Sequence, residues 1–176
     1  MVCSSDTHEY LQYKPEKCLL WVSALARYTS IICQLKTSFF SFPYTDTLKI
    51  LEKWGSGCHF YPESDEASID ELERFLSEER LRNPSEPPIL SLFTEFPSNP
   101  LLRSVNLPRL RKLADEFDFV IAVDDTVGNF VNVDILPFVD ILMSSLTKIF
   151  SGSANTMGGR YSLFNMFLEN GPLIRI

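Results

Sequence analysis

From Tyr44 onward, short apolar runs of strand length alternate with stretches of helical period, and few folds satisfy that alternation. Residues 89–93 and 119–123 are almost wholly apolar and too short for helices, and an amphipathic stretch separates them. A strand that is apolar on both faces needs cover on both, which crossover helices above and below a parallel sheet supply. The expected class is therefore α/β, three-layered, with a mainly parallel sheet.

The remaining elements follow the same logic. Residues 45–54 predict a helix with Ile50, Leu51 and Trp54 on one face and Gly55 as its stop. Residues 58–61 read as a short strand ending at Pro62. Ser68, with Glu71 three residues on, is the expected N-cap of a helix over 69–80 that buries Leu72 and Phe75. Residues 83–88 form a linker, and 95–103 a loop after the strand at 89–93. Asn106 is the expected cap of a third helix, with Pro108 in its first turn, Leu110, Leu113 and Phe117 toward the sheet, and an end at Asp118. The apolar runs 135–138 and 140–143 follow, and Gly152, Gly158 and Gly159 punctuate the way to a last strand at 160–164. The region before Tyr44 fits this scheme badly, with helical propensity over 19–35. Three segments result: 1–41, poorly matched; 42–164, part of a large domain; and 165–176, a divergent tail.

Charge and cysteine usage exclude several roles. Sixteen Lys and Arg against 23 Asp and Glu give a formal charge of -7, the wrong sign for tracking a polyanion, so nucleic acid is not an expected partner. Cys3, Cys18, Cys33 and Cys58 show no metal-knuckle spacing and read as reduced thiols; no metal site is expected. Acidic residues Asp6, Glu9 and Glu16 replace the basic start of a leader, and Arg27 interrupts the apolar stretch 19–35, so no membrane span and a cytoplasmic chain are expected.

Open α/β sheets bind ligands beyond the carboxyl ends of their strands. Three predicted strand ends carry polar groups: 95–100, 124–126 and 144–148. Taken singly they are weak signals, since an Asp at a strand end is commonly a turn or cap residue and a Lys commonly a solvated one.

Together they form a pattern. D-I-L-M-S-S-L-T-K-I-F-S-G at 140–152, V-D-D-T at 123–126, E-F-P-S-N-P-L-L-R at 95–103 and F-P-Y-T-D-T-L-K-I-L-E-K-W-G at 42–55 occur in order. The chain thereby resembles the Cys/Met metabolism pyridoxal-phosphate enzymes, the trans-sulfuration family, and within it the fungal cystathionine gamma-synthase branch. The resemblance implies part of the large domain of a fold-type-I pyridoxal-phosphate-dependent transferase. It makes Lys148 the residue that holds pyridoxal 5'-phosphate through its amine and carries the proton. Asp124 would pair with the pyridinium nitrogen, Ser145 and Thr147 would donate to the phosphate, Tyr44 would stack on the ring, and Asn99 would meet its phenolic-oxygen side or the substrate. Asp125 stands where the commoner motif has Asn, and reads as a solvated neighbour. Glu95 reads as a capping or pairing residue instead of an acid.

The resemblance covers about 42–159, the central part of a family member. The family's S-x-G-M phosphate loop is not found in 2–41, nor its N-terminal arm or its C-terminal arginine-bearing domain elsewhere, so a truncated chain is expected. The implied parent activity is gamma-replacement on an O-acylhomoserine with cysteine, in a homo-oligomer acting on small amino acids. Gamma- or beta-lyase chemistry stays open beside it, as does a non-catalytic fragment that keeps the motif by descent.

Overall fold

A computed structural model describes residues 8–12, 37–40, 44–54 and 57–163 of the chain. Among these, seven strands form one sheet: β1 (His8–Gln12), β2 (Thr37–Phe40), β3 (Cys58–Tyr61), β4 (Ser91–Glu95), β5 (Val120–Asp124), β6 (Ile141–Ser145) and β7 (Gly159–Leu163). Their spatial order is β1-β7-β6-β5-β4-β2-β3. Strands β3, β2, β4, β5 and β6 are mutually parallel, β7 is antiparallel to β6, and β1 is antiparallel to β7. The expected α/β class with a mainly parallel sheet is what the chain adopts.

Alternation along the strands builds two cores. Leu92, Ile121, Val123 and Leu142 join one apolar cluster, while Phe93, Ala122, Ile141 and Met143, their sequence neighbours, join another. The first cluster takes Ile69, Leu72 and Leu76 from helix α2 (Glu66–Arg82) and Leu107, Leu110, Leu113, Ala114 and Phe117 from helix α3 (Leu107–Phe117). The second takes Leu51 from helix α1 (Thr45–Trp54). Helices therefore cover both faces, giving three layers; each fully buried Leu contributes about 2 kcal/mol of burial energy.

Local signals place several boundaries. α1 and β3 span the residues that periodicity predicts. In α3, the Asn106 side chain accepts from the Arg109 N–H at 3.1 Å, a proline sits in the first turn, and Asp118 ends the helix at φ 59. α2 corrects the expectation: its cap is Asp65, whose carboxylate accepts the Ser68 N–H at 2.9 Å, so the helix starts at Glu66 and Ser68 lies inside its first turn. Asp and Ser are comparable caps, and nothing local ranks Asp65 above Ser68. Strand β4 runs two residues beyond the apolar window, because Thr94 and Glu95 pair with Val123 and Asp124 whatever their polarity.

Strands β1 and β2 were not anticipated. β2 lies between β3 and β4, with Ser38 and Phe40 fully buried. Four residues of mixed polarity become a strand because ladders on both sides take up their backbone groups. The helical propensity at 19–35 and the tail at 165–176 lie outside the described residues. Among those described, no helix is long and apolar enough to cross a membrane.

Candidate active site

Parity along the strands gathers the site. Residues two apart share a face, so Glu95 lies with Phe93, Asp124 with Ala122, and Ser145 with Met143, all on the face that α1 covers. These are the carboxyl ends of β4, β5 and β6, three adjacent parallel strands. Tyr44, exposed and immediately before α1, is brought to the same end through a long-range bond: its backbone N–H donates to Glu95 Oε1 at 2.5 Å.

The loop after β4 turns tightly. Ser98 N–H donates to the Arg103 carbonyl at 2.9 Å, Arg103 N–H returns to the Ser98 hydroxyl at 3.2 Å, and Leu102 N–H reaches the Ser98 carbonyl at 2.8 Å. This folding presents Asn99, whose N–H points at Glu95 Oε2 from 3.4 Å. Asn99 itself is exposed.

Asp124 ends β5. Its Oδ1 accepts both the Thr126 N–H at 2.9 Å and the Thr126 hydroxyl at 2.5 Å, and these bonds leave Oδ2 unused by Thr126. Burial pushes the Asp124 carboxyl above the usual range, and the Thr126 bonds pull part of the way back. Glu95 is also raised, first by burial and also by the neighbouring Asp124 charge, while the Tyr44 and Asn99 donors oppose the shift.

Asp125 overturns its expected place in solvent. It is fully buried: Oδ2 accepts the Phe130 N–H at 2.5 Å, and Oδ1 has no hydrogen-bond partner among the described residues. Desolvation lifts its carboxyl to about 6. Successive residues on an extended chain face opposite ways, so Asp124 looks toward the α1 side and Asp125 into the other.

Beyond β6 the chain turns back onto the start of β7. Leu146 and Thr147 both donate their N–H to the Gly158 carbonyl, at 2.9 and 3.3 Å. Gly158 N–H donates to the Thr147 hydroxyl at 3.0 Å. The Thr147 hydroxyl meets the Gly158 carbonyl at 3.4 Å, longer than a good O–H···O bond, so its proton is only weakly engaged. Lys148 N–H donates to the Ser145 carbonyl at 3.3 Å, and its side chain is exposed at the carboxyl end of β6, beside the β5 end that carries Asp124.

Two residues that the sequence reading gave no site role organise this arrangement. Glu95 joins Tyr44 and Asn99; Thr126 joins Asp124 to Ser145, whose backbone N–H donates to the Thr126 hydroxyl at 2.8 Å. Both sit inside the quoted motifs, but only strand adjacency makes them connectors.

The residue set fits pyridoxal phosphate chemically. An amine suits its aldehyde, a carboxylate whose Oδ2 is not taken by Thr126 suits a ring nitrogen, and hydroxyls suit a phosphate.

The fold is that of the fold-type-I pyridoxal-phosphate-dependent enzymes. A methionine gamma lyase from Micromonospora echinospora superposes with a TM-score of 0.60 at 20% identity, over 81% of this chain and 37% of that one. A family model described as Cys/Met metabolism PLP-dependent enzyme matches residues 49–165, and the chain belongs to that family. It is similar to the cystathionine gamma-synthase-like enzyme iboG1 of Amanita muscaria, 64% identical over 124 residues, 70% of this chain and 20% of the relative. It is also similar to the cystathionine gamma-synthase of Neurospora crassa, 51% identical over 133 residues, 74% of this chain and 20% of the relative. The chain thus spans about a fifth of the length of these curated relatives.

Proposed function

We propose that this chain carries the lysine-bearing part of a pyridoxal-phosphate-dependent gamma-replacement enzyme, which joins cysteine to an O-acylhomoserine to make cystathionine. One observation carries the reading: Glu95, Asp124 and Ser145 share a face at the ends of three adjacent strands, with Lys148 three residues past the last of them. The likeness to relatives named cystathionine gamma-synthase supports the choice of reaction.

Bound pyridoxal phosphate supplies an electron-accepting ring. Lys148 would hold it through its amine and would then carry a proton at Nζ. Asp124, its orientation fixed by Thr126, would keep a proton on the ring nitrogen. Ser145 and Thr147 would donate to the phosphate, Tyr44 would stack on the ring, and Asn99 would meet the phenolic-oxygen side or the substrate. These residues serve the cofactor and not the choice among reactions, so gamma- or beta-lyase activity differs only in groups outside this set.

The test is a cofactor titration followed by absorbance, then borohydride reduction and mass spectrometry to locate the modified lysine. Label at Lys148, lost in Lys148→Ala, is the expected result; label elsewhere or no label overturns the site. Cystathionine formation from cysteine and an O-acylhomoserine, set against release of an oxo acid, then separates synthase from lyase.

A further inference from the structure

We infer that Glu95 is a positioning residue of this site: its single carboxylate clamps the backbone at Tyr44 to the backbone at Asn99 alongside Asp124, presetting the groups that meet the cofactor ring from three sides. The inference rests on the functional reading above and adds a residue to it.

The placement is specific. Glu95 is the last residue of β4 and is buried. Its Oε1 takes the N–H of Tyr44, 51 residues away in sequence, at 2.5 Å, and its Oε2 takes the N–H of Asn99, four residues on, more weakly at 3.4 Å. It pairs in register with Asp124 on β5, so the two carboxylates stand side by side on one face of the sheet.

Only one side-chain type does this. A carboxylate accepts through both oxygens, whereas an amide of the same shape offers one acceptor and turns an NH2 toward the second N–H. Aspartate is a methylene shorter and cannot span the same two donors from the same backbone position. The carboxylate also lies at the start of α1, where the Tyr44 N–H is among the donors that the helix cannot satisfy internally and where a negative charge is favoured. These donors oppose, without cancelling, the burial and the Asp124 charge that raise the Glu95 carboxyl. A residue kept simply to fill space would not be charged at that position.

The experiment compares the unaltered chain with Glu95→Gln and Glu95→Ala by amide hydrogen exchange without cofactor, and by pyridoxal-phosphate affinity and absorbance spectrum with it. Slow exchange in α3 and β5 reports that each variant is folded. The expected result is that Glu95→Ala exchanges about tenfold faster at both Tyr44 and Asn99, binds the cofactor about tenfold more weakly and shifts its absorbance band. Glu95→Gln loses protection at one of the two amides and lies between. Unchanged exchange at Tyr44 and Asn99 in a folded Glu95→Ala protein overturns the clamp. Faster exchange with unaltered affinity and spectrum overturns its role in positioning. An unaltered chain that binds no cofactor sinks the functional reading and the positioning role with it, while the exchange data still report on the clamp.

Discussion

The Ser145 backbone N–H, at the end of β6, donates to the Thr126 hydroxyl at 2.8 Å, and that same hydroxyl donates to Asp124 at the end of β5. One side chain thus fixes the distance between the carboxylate and the start of the lysine turn. Thr126→Val keeps the shape and removes both bonds, leaving an unsatisfied N–H and a buried carboxylate with one donor fewer. It is expected to cost about 1–3 kcal/mol in urea unfolding and to weaken cofactor binding about tenfold, and Thr126→Ser to restore most of both. Equal loss in the serine and valine variants would assign the effect to packing.

Asp125 gives the chain a pH-dependent stability of defined sign. Its carboxyl is lifted from 3.8 to about 6 in the folded protein, so between those values the native state holds more protons than the unfolded one. The contribution of this group is fully present below about 4 and is lost as pH rises through about 6, on the order of 3 kcal/mol in all. Asp125→Asn removes the buried charge, and Asn is what the commoner form of the motif carries. The variant is expected to be more stable than the unaltered chain at pH 8, with the difference shrinking toward pH 4; a constant difference across that window contradicts the assignment.

Gly128 is packed against the same carboxylate. A Cβ built there would meet Asp125 Oδ1 at 2.1 Å and Val133 Cγ2 at 2.7 Å, far inside contact distance. Asp125 is held by Phe130 and cannot withdraw without breaking that bond. Gly128→Ala is expected to cost about 1–3 kcal/mol, read as a lower urea midpoint at unchanged slope. Pairing it with Asp125→Ala should recover part of its own cost.

Ion pairs on the first-core side divide by burial. Asp140 Oδ2 accepts from Arg111 at 2.8 Å and from the Ile121 N–H at 2.7 Å, nearly enclosed at the start of β6. Asp140→Ala leaves the Ile121 N–H without its acceptor and Arg111 with Asp115 alone, and is expected to cost about 1–3 kcal/mol. Arg109 bonds Glu66, Asp70 and Glu73, but those carboxylates are largely exposed and screened. Arg109→Ala should shift the thermal midpoint far less than Asp140→Ala, and raising the salt should shrink that smaller effect further.

Elements written in local chemistry were legible in advance. The amphipathic period of α1, the caps of α3 and the apolar runs of β4 and β5 need no distant partner to be recognised. The residues proposed for the site, Tyr44, Asn99, Asp124, Ser145, Thr147 and Lys148, come from motif and order. Asp65 over Ser68 as a cap, β2 as an internal strand and the burial of Asp125 were not, because each depends on groups brought from elsewhere in the chain. Asp124 and Asp125 make the point sharply: adjacent, identical side chains, one turned to the site and one sealed beneath a glycine turn.

Residue type and periodicity, then, determined by themselves that this chain builds a covered parallel sheet with an amine and a carboxylate past its strand ends. The tertiary structure alone decided which carboxylate faces outward, which hydroxyl is occupied by a backbone group, and that Glu95 and Thr126 tie the ends together. The reason is physical: helix period and capping act over a few residues, whereas strand register, desolvation and shared hydrogen bonds exist only once distant segments lie side by side.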